Sequence, residues 1–239
     1  MVPWLSMSNH SFPAIDTALA EPNGLLAAGG DLTPNRLIAA YKKGIFPWFN
    51  QGEPILWWSP APRCVLIPSQ LHISKSLKKQ IKKNQYRITF DLAFNQVIQS
   101  CSEIRASDEG TWITDDIQQA YCHLFDQGVA HSIEVWDDNL LVGGLYGLAL
   151  GRVFFGESMF SRRSNTSKIA FCYLAAQLKQ WGFQLIDCQV HNNHLQSLGA
   201  TEISRELFLD YLNDIDANSP TAKNTPWKLT INPTDVLNV

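Results

Sequence analysis

The spacing of apolar and polar residues along the chain predicts alternating strands and helices. Strands are expected at 64–68, 86–90, 131–136, 140–150, 152–160 and 183–190, and helices at 69–84, 93–101, 165–181 and 204–212. Capping residues indicate two further helices, one after Thr33 with Pro34 in its first position and one from Thr114 to a stop at Gly128. This order of elements predicts an α+β fold with a mixed sheet flanked by helices.

The N-terminal part of the chain differs from the rest because proline, glycine and tryptophan recur in it. The sequences Phe-Pro-Trp at 46–48 and Trp-Trp-Ser-Pro at 57–60 are typical of turns and short elements. We therefore expect a small N-terminal domain at 1–62 and a larger domain at 63–239. In the larger one, three consecutive strands, a helix and another strand resemble the sheet of GNAT-type acyltransferases, a likeness that does not fix function.

Composition places the chain among globular proteins of the cytoplasm. Of its 239 residues, 45% are hydrophobic and 17% charged, which is enough apolar material for a sizeable core. The net charge of −3 requires any nucleic-acid binding to come from a local patch. No apolar run approaches the roughly 18 residues of a membrane span, and no secretion signal is recognisable. The five cysteines are widely spaced without a CxxC pair, which indicates reduced thiols and no zinc site.

A basic stripe lies on the helix expected at 69–84. Five lysines share one helix face, without an intervening acidic residue: Lys75, Lys78, Lys79, Lys82 and Lys83. Leu77 and Ile81 lie between them and can face the protein. Like charges on one face repel each other, so the basic stripe favours a polyanionic partner such as the phosphates of a nucleic acid. The alternative is an ordinary solvated helix face.

Three polar residues interrupt two strongly apolar strands. Glu157 lies in the strand at 152–160, and Asp187 and Gln189 lie in the strand at 183–190. Asp187 and Gln189 are two residues apart and share one sheet face, whereas Cys188 faces the other side as a core thiol. A buried carboxylate is costly unless it is paired or hydrogen-bonded, so we treat Glu157, Asp187 and Gln189 as a polar cluster with a functional role. The alternatives are strand-end residues that face solvent, or a structural ion pair.

Long motifs occur in a fixed order along the chain. They are E-P-N-G-L-L-A at 21–27, G-G-D-L at 29–32, G-I-F-P-W-F at 44–49, L-W-W-S-P at 56–60, G-T-W-I-T at 110–114, A-H-S-I-E-V-W at 130–136, G-E-S-M-F-S at 156–161 and L-I-D-C-Q at 185–189. With these motifs the chain resembles, from Phe12 to Leu212, the leucyl/phenylalanyl-tRNA–protein transferase family. These bacterial enzymes add Leu or Phe to proteins with an N-terminal Arg or Lys. Leu145 often reads Met in the family and Phe171 often reads Leu, changes that leave the pocket apolar.

The resemblance implies a GNAT-type domain behind a small N-terminal domain, and it implies a role for each candidate residue. Asp187 and Gln189 correspond to the pair proposed to assist attack by the acceptor amine, with Glu157 orienting that amine. Trp48 and Trp112 correspond to the residues that flank the 3′ adenine of the tRNA. The side-chain pocket would be lined by Leu145, Phe154, Met159, Phe171 and Ile186. A pocket with a flexible methionine would accept Leu and Phe, and Met as a further donor.

The resemblance implies no cofactor and no metal, because the aminoacyl ester of a charged tRNA is already activated. The expected partners are Leu- and Phe-tRNA and proteins with N-terminal Arg or Lys, and nothing in the sequence requires more than a monomer. One alternative is an acetyltransferase that uses acetyl-CoA, although 162–168 lacks the glycine-rich turn that such enzymes place before their long helix. The other is a tRNA-binding module without activity, for which the basic stripe alone would suffice.

Overall fold

The computed structural model describes residues 2–106, 111–213 and 227–239, and Gly110 of the motif at 110–114 therefore lies outside the described residues. Within these ranges the strands form a small and a large sheet. The strands are β1 (Trp4–Leu5), β2 (Leu25–Gly29), β3 (Phe46–Pro47), β4 (Leu56–Trp58), β5 (Arg63–Leu66), β6 (Arg87–Phe90), β7 (Ala130–Asp137), β8 (Leu140–Leu150), β9 (Val153–Ser161), β10 (Leu185–Gln189) and β11 (Thr201–Ile203).

The α-helices of the described ranges connect and cover these strands. They are α1 (Pro34–Tyr41), α2 (Lys75–Lys83), α3 (Phe94–Ala106), α4 (Asp115–Asp126), α5 (Thr166–Gln180), α6 (Asn193–Gln196), α7 (Arg205–Asn213) and α8 (Pro233–Leu237). The predicted helix starts at Pro34 and after Thr114 are confirmed, and the Thr114 hydroxyl accepts a hydrogen bond from the amide of Ile117. None of these helices is both long and apolar enough to cross a bilayer.

The prediction of one helix over 69–84 is wrong in its first turns. Pro68–Gln70 forms a separate 3-10 turn, and α2 begins only at Lys75, where the Ser74 hydroxyl accepts a hydrogen bond from the amide of Leu77. Between these elements Leu71 and Ile73 are buried while their neighbours are exposed. This two-residue alternation belongs to extended backbone and prevents a continuous helix.

The strands of the small sheet lie in the order β1-β2-β4-β3, and Trp57 is central to its packing. Trp57 in β4 is fully buried, and its indole nitrogen donates to the carbonyl of Gly29 at 2.8 Å. Phe12 packs edge-on against the same indole ring, with 4.9 Å between the ring centroids. The helix α1 follows strand β2 in the chain and contacts β3 and α4. The small sheet is thereby joined to the larger unit.

The large sheet is mixed, as predicted for an α+β fold. Its order is β11-β5-β10-β9-β8-β7-β6, and its neighbouring strands are antiparallel except for the parallel pair β9 and β10. Adjacent residues in β9 face opposite layers: Phe155 packs in the core that includes α3 and α4, and Phe154 in the core that includes α2 and α5. Because α5 returns the chain to β10 beside β9, the two strands that carry the polar cluster are neighbours.

Candidate active site

A cavity of about 680 Å³ lies where β9 and β10 meet the small sheet. The structure places every candidate residue of the polar cluster and of the expected pocket in its wall. These residues are Trp48, Trp112, Leu145, Phe154, Glu157, Met159, Phe171, Ile186, Asp187 and Gln189. One cavity therefore has an apolar part and a polar part.

The apolar part is built by strand register and by α5. Leu145 in β8 pairs with Met159 in β9, and Phe154 pairs with Ile186 in β10. Phe171 in α5 covers these strands within the same core cluster. The arrangement leaves a volume bounded by aliphatic, thioether and aromatic groups, which suits an apolar side chain.

Two tryptophans lie in the cavity wall on different parts of the chain. Trp48 follows β3 and is 44% exposed, while Trp112 precedes α4 and is partly buried. The indole of Trp58 donates to the carbonyl of Trp48 at 2.6 Å and fixes the backbone at that position. An exposed indole on a fixed backbone provides a face on which a planar ring can stack.

Glu157 is the centre of a buried hydrogen-bond network. Its Oε1 accepts from the Tyr41 hydroxyl at 2.7 Å and from Gln189 Nε2 at 2.8 Å, and its Oε2 accepts from the Tyr121 hydroxyl at 3.0 Å. The two tyrosine hydroxyls also contact each other. Burial raises the pKa of Glu157 from 4.5 to about 7, although the hydrogen bonds from the tyrosines oppose this rise. The carboxyl is therefore poised to exchange a proton near neutral pH.

Asp187 has a different environment, because it forms a buried ion pair with Arg63. Arg63 Nε and Nη2 donate to the two carboxylate oxygens at 2.8 and 2.7 Å, and the two side chains are 1% and 0% exposed. The guanidinium lies between the rings of Phe46 and Phe208, with 4.9 and 4.7 Å to their centroids. Arg63 is not among the residues predicted from the sequence, because its only local signal is a charged residue at the start of an apolar strand.

Gln189 connects the two carboxylates. Its backbone amide donates to Asp187 Oδ1 at 2.9 Å, while its side-chain amide reaches Glu157. The residue has a φ of 62° at a bulge in the pairing of β10 with β5. This left-handed backbone conformation is unusual for a residue other than glycine. Cys188 is buried in the core of the opposite face, as expected from the sequence.

Tyr146 adds a second unusual group to the cavity wall. Its side chain is fully buried, and within the described ranges no hydrogen-bond partner of its hydroxyl is found. An unpaired buried hydroxyl costs about 1–3 kcal/mol. A polar atom of a bound molecule would remove that cost.

The basic stripe lies outside the cavity wall. Its five lysines are exposed on α2, while Leu77 and Ile81 are buried, as the sequence predicted. The stripe adjoins the start of α5, where Asn165 Nδ2 donates to Gln80 Oε1 at 3.0 Å. A cationic surface and an apolar cavity are thus joined through one helix terminus.

Comparison with known proteins identifies the family. The model of the family described as leucyl/phenylalanyl-tRNA protein transferase matches residues 65–213, and that of its N-terminal domain matches residues 30–61. This chain belongs to that family. It is therefore an aminoacyltransferase.

Named relatives agree with this family over nearly the whole chain. The leucyl/phenylalanyl-tRNA–protein transferase of Cellvibrio japonicus (strain Ueda107) is 59% identical over 208 residues, which cover 87% of this chain and 88% of the relative. The transferase of Pseudomonas paraeruginosa (strain DSM 24068 / PA7) is 57% identical over 221 residues, covering 92% and 98%. A solved structure, that of L-PGS from Bacillus licheniformis, has a TM-score of 0.41 and 11% identity over 72% of this chain and 57% of that one.

The two regions matched by the transferase family both contribute to the cavity. The N-terminal region supplies Phe46 and Trp48 to the wall, and the larger region supplies Glu157 and Asp187. Tyr41, also in the N-terminal region, donates a hydrogen bond to Glu157. The cavity is therefore lined by residues of both the small sheet and the large one.

Proposed function

We propose that this enzyme transfers Leu or Phe from aminoacyl-tRNA to the N-terminal amine of proteins that begin with Arg or Lys. The product would carry a new peptide bond and an N-degron. This proposal is supported by the observation that one cavity contains both an apolar pocket and the buried carboxyl of Glu157. The pocket suits the donor side chain, and the carboxyl suits a cationic amine.

On the donor side, the pocket explains why an apolar aminoacyl group is preferred. The residues Leu145, Phe154, Met159, Phe171 and Ile186 have no charged group to receive a polar side chain. Hydrophobic pockets distinguish one methylene by only about 1–3 kcal/mol, so we propose Met as a further donor. Trp48 and Trp112 would hold the 3′ adenine, since stacking on an aromatic ring contributes about 1–3 kcal/mol per base.

On the acceptor side, the polar cluster provides a place for the N-terminal amine. An α-amine has a pKa of about 8, so it binds largely as a cation and must lose a proton before it attacks the ester. We propose Glu157, Asp187 and Gln189 as the groups that receive and orient it. Holding amine and ester together in one cavity would supply a large part of the rate by proximity.

The basic stripe would bind the tRNA backbone. Its lysines are exposed, and no ion pair with an acidic side chain is found for them within the described ranges. Contacts of this kind hold phosphates and carry no base information, which agrees with a donor that is recognised at its aminoacyl end.

The structure gives two observations against the alternative functions. In the acetyl-CoA alternative, the amides at the start of α5 would bind a pyrophosphate, but the amide of Ser167 already donates to Ser161 Oγ at 2.9 Å. In the alternative of an inactive tRNA-binding module, the raised pKa of Glu157 would have no use, and neither would the buried Tyr146 hydroxyl, for which the described part of the chain offers no partner. Both alternatives remain outcomes of the experiment below.

Further expectations belong to the same proposal. We propose that the domain boundary lies between residues 62 and 63, close to the start of β5, and that the larger unit is a GNAT-type domain. We propose a cytoplasmic monomer that needs no ATP, CoA or metal, because the tRNA ester supplies the activated acyl group.

The proposal is tested by transfer of radiolabelled Leu from Leu-tRNA to a peptide that begins with Arg, beside an identical peptide that begins with Ala. No ATP or CoA is added. Label on the Arg peptide alone supports both the reaction and the acceptor rule. Absence of label on both peptides, with tRNA still bound, would instead support the binding module, and transfer of acetyl groups from acetyl-CoA would support the acetyltransferase.

A further inference from the structure

We propose that Glu157 receives the proton that the attacking amine loses, and that Asp187, fixed by Arg63, is a positioning residue that holds Gln189 against Glu157. This inference rests on the proposed function and assigns different roles to the two carboxylates of the polar cluster. Only Glu157 would exchange a proton during the reaction.

The contacts of Asp187 argue against its use as a proton acceptor. Oδ1 accepts from Arg63 Nε and from the amide of Gln189, and Oδ2 accepts from Arg63 Nη2. A guanidinium stays protonated in proteins, so protonation of Asp187 would leave a charge of Arg63 buried without its partner. Both oxygens of Asp187 are therefore already engaged by donors of the protein.

The contacts of Glu157 differ because its hydrogen-bond donors are neutral. Tyr41, Tyr121 and the side chain of Gln189 donate to it, and none of them requires a charged partner. Since a hydroxyl can also accept a hydrogen bond, the network can satisfy a protonated Glu157 after small rotations. The pKa of about 7 agrees with this ability to change state.

The groups around Glu157 come from each element that packs against it. The titratable and charged side chains are Tyr41 in α1, Tyr121 in α4, Tyr146 in β8, Asp187 in β10, Arg63 in β5 and Arg105 in α3, which donates to Ser158. Among the charged ones, the repulsion from Asp187 and the attraction from Arg63 act in opposite directions. Glu157 is thus the proton-exchanging carboxyl next to a neutralised ion pair.

The bulge at Gln189 explains how Asp187 contributes. The left-handed backbone at Gln189 directs its side chain to Glu157, and the hydrogen bond from its amide to Asp187 Oδ1 holds that conformation. Arg63 fixes Asp187 from the neighbouring strand β5. Loss of Asp187 would misplace Gln189 without removing the proton acceptor.

Glu157 is the only side chain that has to accept and return a proton in this step. The uncharged amine nitrogen attacks the ester carbonyl carbon, and a C–N bond forms as the C–O bond to the ribose oxygen breaks. The proton lost by the nitrogen passes to ionised Glu157 and then to the leaving ribose oxygen. The products are a peptide bond and a free ribose hydroxyl, and Glu157 is again ionised.

The test compares pH–rate profiles of Glu157→Gln and Asp187→Asn with the unmodified enzyme. The acceptor is an aminooxy peptide with an N-terminal Arg-like side chain, because its weakly basic nitrogen stays uncharged through the range and leaves only enzyme ionisations visible. We expect the unmodified rate to rise with a midpoint near the pKa of Glu157. Glu157→Gln should give a flat profile reduced by about 10²-fold or more. Asp187→Asn should lower kcat and keep the rise.

Tyr121→Phe provides a second measurement that does not depend on how well the Asp187 variant folds. It removes a hydrogen bond that lowers the pKa of Glu157, so the midpoint should move to higher pH. A retained rise in Glu157→Gln, a flat profile in Asp187→Asn, or an unmoved midpoint in Tyr121→Phe would each overturn the inference. Failure of the unmodified enzyme to label an ordinary Arg peptide would instead overturn the proposed function.

Discussion

Replacement of Glu157 by glutamine should stabilise the protein at alkaline pH and leave its stability nearly unchanged at acidic pH. The raised pKa means that the folded protein holds a proton on Glu157 between pH 4.5 and about 7, where the unfolded chain has released it. Stability from this group is therefore complete below pH 4.5 and is lost as pH rises through about 7. Since one pKa unit corresponds to about 1.4 kcal/mol, ionised Glu157 costs roughly 3 kcal/mol of folding free energy above that pH.

The prediction is checked by urea unfolding of both proteins at several pH values. Glutamine has nearly the same shape and can keep the hydrogen bonds with Tyr41, Tyr121 and Gln189, so the pH-dependent difference isolates the charge. The free energy of unfolding of Glu157→Gln should exceed that of the unmodified protein by an amount that grows toward roughly 3 kcal/mol with rising pH. Glu103→Gln, which changes an exposed glutamate paired with Arg162, should alter stability by less than about 1 kcal/mol at every pH. An equal difference at acidic and alkaline pH would refute the assigned protonation of Glu157.

Three other substitutions test the remaining parts of the site. Tyr146→Phe should unfold at no lower temperature, because the hydroxyl has no partner within the described ranges. Its kcat/KM should nevertheless fall by up to about tenfold, because one hydrogen bond to substrate is lost. A large drop in melting temperature would contradict this prediction. Trp48→Ala should raise KM for Leu-tRNA by about 5- to 150-fold, whereas the exposed Trp4→Ala, outside the cavity wall, should not. Lys78→Ala with Lys82→Ala should make tRNA affinity less dependent on salt. The slope of log affinity against log salt concentration should become shallower by about 0.7–0.9 for each phosphate that the lysines no longer neutralise. Lys179→Ala with Lys228→Ala, outside the basic stripe, is the matched control, and an equal flattening there would count against the stripe.

Much of the larger unit could be predicted because local patterns determine it. Strand β8 is a continuous apolar run and helix α4 begins at a capping threonine, and both signals are visible in a single sequence. The short strands of the small sheet could not be placed from periodicity, since two-residue strands such as β3 contain only a single repeat of the two-residue strand pattern. The same is true of β11, whose three residues pair with β5 through a contact more than 130 positions away.

The chemistry of the polar cluster was harder to predict than its location. Alternation placed Asp187 and Gln189 on one face, and they do lie together, but no local pattern indicates the left-handed backbone of Gln189. Arg63 and Tyr41 are separated from their carboxylate partners by 124 and 116 positions, so no local pattern indicates which acid each one contacts. The family resemblance points to Glu157, Asp187 and Gln189, whereas the ion pair that distinguishes Asp187 from Glu157 is visible only in the folded protein.

The ion pair between Arg63 and Asp187 also affects how the protein folds during its synthesis on the ribosome. Synthesis proceeds at about 5–20 residues per second, so Arg63 emerges several seconds before the carboxylate that neutralises it. During that interval the segment that includes β5 has neither of the strands that flank it, because β10 and β11 are made later. The two sheets thus reach their final packing only after most of the chain has been synthesised, and the nascent N-terminal region must remain available for late docking.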